Sequence, residues 1–271
     1  MEKTIQELLE FGIINVDKPA GMTSFDVVDE IRKTFNLRKT SHFGTLDPMV
    51  TGVLPIALNR SCKLTGFFIS HDKEYVGEMK IHEDIELEKI EEMIKEKFLG
   101  KIIQLPPVKS RVKRQERERE VMKFDILEKK GKILKFHAEV QGGTYIRKLI
   151  HDLGQALGIN AHMTKLRRIR AGIFLEKDSV KLEDIKTENI IPAEEAIKKI
   201  FENVQVKDDS VKQLLTGKPV HNDDLINKKN FNTNELINIF NGNRLIGVYN
   251  VVNEKDIFAK AKFVLQPISV P

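Results

Sequence analysis

The chain has 271 residues, 41% of them apolar and 31% charged, with a formal net charge of +5. At roughly 100–200 residues per domain this length suggests one large domain or a large domain with a smaller companion, and the composition is that of a folded chain, not a disordered one. No run approaches the ~18 consecutive apolar residues of a membrane-spanning helix, and the N-terminus lacks the pattern of a secretion signal, so a cytoplasmic location without membrane attachment is expected.

The apolar run Ile13–Val16 reads as a strand stopped by Lys18-Pro19-Ala20-Gly21. Thr23 and Asp26 form a capping-box pattern, followed by Val27, Ile31 and Phe35 at helical spacing. A glycine-punctuated loop from Ser41 to Gly52 leads into a buried strand, Val53–Leu58, in which Pro55 cannot donate a ladder bond. Leu64, Phe67 and Phe68 suggest a short helix. Tyr75, Gly77, Met79 and Ile81 alternate as a strand, and Leu87, Ile90, Ile94 and Phe98 return to helical spacing. Met122/Phe124/Ile126 and Leu134/Phe136/Ala138/Val140 flank Gly131 as a hairpin, and Ile146, Leu149, Ile150, Leu153 and Leu157 share one helical face before Gly158. Strands and helices mixed without a βαβ rhythm indicate an α+β fold. Beyond Ile200 the chain becomes asparagine-rich and carries short alternating runs, so a small β-rich domain is expected over 203–271 and a catalytic domain over 1–202.

A single cysteine, Cys62, cannot form an internal disulfide, and the seven histidines complete no zinc spacing, so no metal is expected. The cations are clustered. Six lie between Lys109 and Arg119 against two acids, and six between Thr144 and Gly172 against Asp152 alone, whereas Glu83–Glu96 holds seven acids and two lysines. Such separation is the footprint of a face laid on a polyanion, most often nucleic acid, where each neutralised phosphate releases counterions. A merely solvated face is the alternative. The expected RNA-contacting residues are Lys109, Arg111, Lys113, Arg114, Arg167, Arg168 and Arg170.

The loop Ser41-His42-Phe43-Gly44-Thr45-Leu46-Asp47-Pro48 combines flexible glycines, one carboxylate and a histidine outside any periodic pattern, the setting in which reactive groups commonly sit. Taken alone, Asp47 before Pro48 reads first as a turn initiator and second as a carboxylate available for chemistry. His42 alone reads first as a hydrogen-bonding or surface residue.

This loop, continued through Gly52-Val53-Leu54, resembles the signature of the TruB family of pseudouridine synthases. In the same order, Ile14–Ser24 resembles the family's lysine-proline motif, Lys73-Glu74-Tyr75 its tyrosine strand, Gly143-Thr144-Tyr145-Ile146-Arg147 its arginine motif and Leu166-Arg167-Arg168 its last one. The resemblance runs from about Gly12 to Phe174, departing at Ser41, where the family usually has glycine. It implies a catalytic domain with a mixed, largely antiparallel sheet and an isomerisation that detaches uracil from ribose and reattaches it through C5, without a cofactor. Asp47 matches the essential aspartate, acting by covalent attack or by removing a ribose proton. Arg147 matches the arginine that pairs with it, and Tyr75 the tyrosine that stacks on the base and is the candidate to take the C5 proton. By the same resemblance His42 helps hold a flipped-out nucleotide, Tyr145 and Leu166 line the pocket, and Lys18 buttresses the loop.

The segment from Asp209 through Leu215–Val220 resembles a PUA domain, which binds RNA stems and tails. Expected partners are therefore RNA (tRNA or rRNA), a box H/ACA guide RNA and small H/ACA accessory proteins. Bacterial members insert a T-arm-gripping hairpin after the tyrosine strand. Here Ile81 passes through His82-Glu83-Asp84 almost directly into a helical pattern, and the Pro106–Arg114 and Ala161-His162-Met163 segments look archaeal or dyskerin-like, which favours guided modification over stand-alone action on the tRNA T-arm. A non-catalytic RNA-binding or ribosome-assembly protein is the alternative of another class. It would need none of Asp47, Tyr75 and Arg147.

Overall fold

Four-residue repeats become helices and alternating runs become strands along most of the chain. The computed structural model describes residues 3–106, 113–227 and 230–266. Helix α1 (Ile5–Glu10) opens with a capping box between Thr4 and Glu7, and β1 (Gly12–Lys18) follows, buried but for one half-buried residue. Helix α2 (Ser24–Thr34) starts at the expected box: the Asp26 N–H donates to Thr23 Oγ1 at 3.1 Å and the Thr23 N–H to Asp26 Oδ2 at 2.8 Å. Caps of this kind contribute ~1 kcal/mol each, while Val27, Val28 and Ile31 contribute through burial.

Strand β2 (Thr40–His42) pairs antiparallel with β3 (Thr51–Leu58), so the glycine-punctuated loop is the connection of a β-hairpin. Pro55 has no N–H to give, but its carbonyl accepts from Phe43 N at 3.0 Å. Then come α3 (Thr65–Ile69), β4 (Lys73–Ile81), α4 (Leu87–Lys97), β5 (Gly100–Gln104), β6 (Arg117–Lys130), β7 (Ile133–Val140), α5 (Ile146–Ala156), β8 (Ala161–Ala171), β9 (Phe174–Leu175) and β10 (Val180–Lys181). The main sheet runs in the order β10-β1-β3-β8-β4-β7-β6-β5. Its β3–β8 and β1–β10 pairs are parallel and its β8–β4, β4–β7, β7–β6 and β6–β5 pairs antiparallel, the mixed, largely antiparallel α+β arrangement expected. Helix α5 packs on β8 and buries Ile146, Leu149, Ile150 and Leu153, roughly 1.5–3 kcal/mol per fully buried aliphatic. Strand β5 is one of the elements the sequence pattern did not announce, since only Gln104 of its five residues is buried.

The chain divides into two units, Ile14–Asn189 and a terminal unit of Met1–Ile13 with Ile190–Pro271. The division thus falls ahead of the composition change near Asn203. Residues 190–200 belong with the chain ends because Ala193 N donates to Phe11 O at 3.1 Å, Glu194 pairs with Lys3, and Phe11 stacks on Phe263 at 5.9 Å. In this unit β11 (Ile190–Pro192), α6 (Ala193–Ile197), β12 (Glu202–Gln205), α7 (Val211–Leu214), β13 (Val220–His221), β14 (Leu236–Asn241), β15 (Arg244–Glu254) and β16 (Ile257–Val264) follow, with a sheet in the order β12-β14-β15-β16-β13. Its core gathers Val204, Val206, Ile237, Ile239, Tyr249 and Phe258. Asparagine here is more than loop composition. Asn238, wholly buried in β14, donates to the carbonyls of Ile197 and Phe201 at 2.9 and 3.1 Å.

Among the described residues no helix is long and apolar enough to cross a membrane.

Candidate active site

The 43–50 loop is fastened from below by side chains that spend themselves on its backbone. Lys18, wholly buried at the end of β1, donates Nζ to the carbonyls of Pro19 at 2.7 Å, Met22 at 2.6 Å and Pro48 at 3.0 Å, using all three ammonium protons. Burial pushes its pKa down, and the Asp26 and Asp47 carboxylates oppose that shift. Ser24 Oγ accepts from Leu46 N at 2.8 Å and donates to Leu46 O at 3.0 Å, and Gly21 N donates to Pro48 O at 2.9 Å. Phe43 stacks on Phe68 with ring centres 4.6 Å apart.

Arg168 closes the other side. It is 1% exposed, and donates Nε to Val53 O at 2.7 Å and Nη2 to Gly44 O at 3.1 Å, so one guanidinium bridges both ends of the loop. The motif's glycines make room for it. Gly44 sits at φ +128° and Gly52 at φ +99°, and a Cβ on Gly52 would lie 2.2 Å from the Arg168 carbonyl oxygen.

On this platform Asp47 Oδ2 meets Arg147 Nη2 from the first turn of α5, both side chains about half exposed and so open to a ligand. Tyr75, 7% exposed in β4, stands in register with Arg168 of β8, and Leu166, 8% exposed, with Gly77. Tyr145 is the residue from which α5 starts. His42 ends β2 and accepts from Gly44 N at Nδ1, 3.3 Å. Burial first, and then the Arg168 charge, lower its pKa, so the ring is neutral at pH 7. The structure joins Asp47 directly to Arg147 and joins the loop to Lys18 and, through Arg168, to the Tyr75 strand. Among the described residues no group of three or more His, Cys, Asp and Glu could hold a metal ion.

The expected RNA face needs correction at three residues. Arg168 is buried under the loop. Arg167 is forked onto Asp17 at 3.0 and 2.9 Å and also pairs with Glu176; Arg170 pairs with Glu74 at 2.9 Å and with Glu139. A guanidinium already facing two carboxylates has little charge left for phosphate. Lys113 and Arg114 are exposed, as expected of an RNA face, while Lys109 and Arg111 lie outside the described residues.

Three buried polar residues, Ser24, Lys73 and Gln104, escaped the sequence reading, although Ser24 and Lys73 fall within matched motifs. Lys73, 4% exposed, donates to Ile69 O at 2.7 Å and to His71 O, and burial, with the Arg168 charge, pushes its pKa down to about 8. The folded chain therefore releases this proton before the unfolded chain does, and the cost of the buried charge fades between about pH 8 and 10.5. Across that window the unfolding free energy of the wild type should rise by up to about 3 kcal/mol relative to Lys73→Met, measured by urea unfolding at each pH.

Residues 32–146 match the TruB family pseudouridylate synthase (N terminal domain), and residues 147–206 the tRNA pseudouridylate synthase B C-terminal domain. The fold is that of the pseudouridine synthase class, and the chain belongs to its TruB family. It is similar to the probable tRNA pseudouridine synthase B of Methanopyrus kandleri, 48% identical over 185 residues, 68% of this chain and 54% of that protein. The corresponding protein of Korarchaeum cryptofilum is 41% identical over 232 residues, 80% of this chain and 71% of that one. Of the Methanopyrus kandleri and Methanocaldococcus jannaschii relatives the chain spans only about half the length. Among solved structures it is similar to a chain in a Cbf5-Nop10-Gar1 complex, with a TM-score of 0.88 at 34% identity, covering 97% of this chain and 88% of that one. It is likewise similar to a chain in an H/ACA RNP bound to a substrate RNA containing 2'-deoxyuridine, with a TM-score of 0.87 at 33% identity, covering 98% and 88%.

Proposed function

We propose that the chain is an RNA pseudouridine synthase, isomerising a uridine chosen by an H/ACA guide RNA in rRNA, in the tRNA T-arm, or in both. The observation that carries this reading is the Asp47–Arg147 pair, half open to solvent on a loop fastened by Lys18, Ser24 and Arg168. In the reaction the bond from N1 of uracil to C1' breaks, one from C5 to C1' forms, C5 loses a proton and N1 gains one. Asp47 acts on the nucleoside, by covalent attack or by taking a ribose proton, with Arg147 fixing its orientation. Tyr75 stacks on the base and takes the C5 proton; Tyr145 and Leu166 enclose it; neutral His42 supports the flipped-out state. A purely RNA-binding module has no use for an open carboxylate held this way, which disfavours the non-catalytic reading.

Guided selection is supported by the five-residue passage from β4, ending at Ile81, to α4, starting at Leu87, which leaves no inserted gripping hairpin. It is supported too by similarity to chains in H/ACA assemblies. We assign RNA-stem holding to the PUA-like part from about residue 203, small accessory proteins to the catalytic unit, and the cytoplasm as location. Reconstitution tests this: a guide RNA with accessory proteins should redirect modification to the guided uridine. Full-rate modification of tRNA by the protein alone, with no guide binding, would assign it to the stand-alone class.

Replacing Lys113 and Arg114 by Gln should weaken RNA binding without changing sequence choice, because phosphate contacts position without specifying. The slope of log affinity against log salt should become shallower by roughly 0.7–0.9 per lost contact. An unchanged slope would place both on a face that RNA does not touch.

A further inference from the structure

We propose that Gln104 is a positioning residue for this reaction, holding the start of α5 so that Arg147 meets Asp47; the inference rests on the isomerase reading above. Gln104 ends strand β5 and is 2% exposed. Its amide spends both polar ends on one distant residue: Oε1 accepts from Tyr145 N at 3.0 Å, and Nε2 donates to Tyr145 O at 3.2 Å. This reproduces the reciprocal exchange of a hydrogen-bonded strand pair, with a side chain in place of one strand.

The clamp falls where the local sequence is weakest. Helix N-caps favour Ser, Thr, Asp or Asn, whose side-chain oxygen takes a free N–H of the first turn. At α5 that position is Tyr145, and no side-chain cap bond is made. The Tyr145 carbonyl already accepts from Leu149 N at 2.9 Å, so Gln104 grips the group that begins the helical ladder. Upstream, Thr144 closes a turn on the Gln141 carbonyl through its N–H and its hydroxyl, which fixes the approach but not the cap. Two residues beyond Tyr145, Arg147 reaches Asp47. The aspartate side of the pair is fastened by Lys18, Ser24 and Arg168, whose hydrogen bonds run to Pro19, Met22, the loop backbone and Val53 of β3. Gln104 is the corresponding fastening on the arginine side, supplied from 41 residues away.

The test compares wild type, Gln104→Leu and Gln104→Glu in single-turnover tritium release from RNA labelled at uridine C5, normalised to folded protein, with RNA affinity measured separately. Gln104→Leu keeps the bulk and drops both bonds. It should lower turnover about tenfold to a hundredfold, the scale on which a ~1 Å misplacement acts, with affinity within about twofold. Gln104→Glu keeps the acceptor but, while ionised, sets an oxygen against the Tyr145 carbonyl. Relative to wild type at the same pH its turnover should recover as pH falls towards the carboxyl pKa, where an O–H replaces the lost N–H. Undiminished turnover in Gln104→Leu, a loss of affinity matching the loss of turnover, or a pH-independent deficit in Gln104→Glu would overturn the inference. The wild-type arm, run with and without a guide RNA and accessory proteins, reads the underlying assignment separately: absence of tritium release under both conditions would overturn the isomerase reading and this inference with it.

Discussion

Asp47→Asn is expected to lower uridine isomerisation roughly 10⁴-fold while leaving RNA affinity within a few-fold. The substitution keeps the shape of the side chain and an oxygen for Arg147 to donate to, and removes only the negative charge. The loop itself should not move. Its fastenings run to the backbone of Gly44, Leu46, Pro48 and Val53, and none uses the Asp47 carboxylate. On the proposed reading RNA affinity comes from exposed cations and should not pass through this residue. Tritium release from C5-labelled uridine measures the first quantity and a salt-controlled binding titration the second. Turnover near wild type would remove Asp47 from the chemistry.

Lys18→Met should cost both stability and activity. Three carbonyls, from Pro19, Met22 and Pro48, lose their shared donor at once. Hydrogen bonds from a charged donor contribute about 1.5–3 kcal/mol each, and the expense of burying the ammonium, visible in its lowered pKa, offsets part of the sum. A net loss of about 2–4 kcal/mol is expected in urea unfolding. Below the unfolding range the variant should turn over about 10²-fold more slowly, because the loop carrying Asp47 is no longer pinned at Pro48. A variant as stable and as active as wild type would show that Ser24 and Arg168 suffice.

What could be read in advance follows the range of the interactions. The capping box at Thr23 and Asp26, the hairpin turning at Gly131 and the apolar stripe of α5 are local patterns, and each produced its element. The loop motif likewise drew attention to Asp47, His42 and the two glycines. The three C-terminal arginines were misjudged because counting charge in a window cannot see a partner outside it. The acids that occupy Arg167 and Arg170 include Asp17, Glu74 and Glu139, which lie 150, 96 and 31 residues away. A buried Arg168 also looks in the sequence like its neighbours Arg167 and Arg170; only the register of β8 against β3 and β4 turns it under the loop. The same holds for the terminal unit, whose boundary is set by contacts of Lys3 and Phe11 with residues 193–194, not by composition. Gln104 was invisible for a further reason: it bonds the backbone of Tyr145, 41 residues away, and no local pattern marks that partner.

On the proposed reading Asp47 and Arg147, on this fastened loop, convert uridine to pseudouridine without letting the base escape. Nucleoside analysis of a defined RNA carrying one labelled target uridine, incubated with the full chain and, where required, a guide RNA and accessory proteins, tests it most directly. The expected result is one pseudouridine formed for each uridine lost, no free uracil, and neither product with Asp47→Asn. Release of free uracil with an abasic RNA would make the protein a glycosidase, and an RNA left unchanged under every guided and unguided condition would leave it a binding protein with an idle carboxylate.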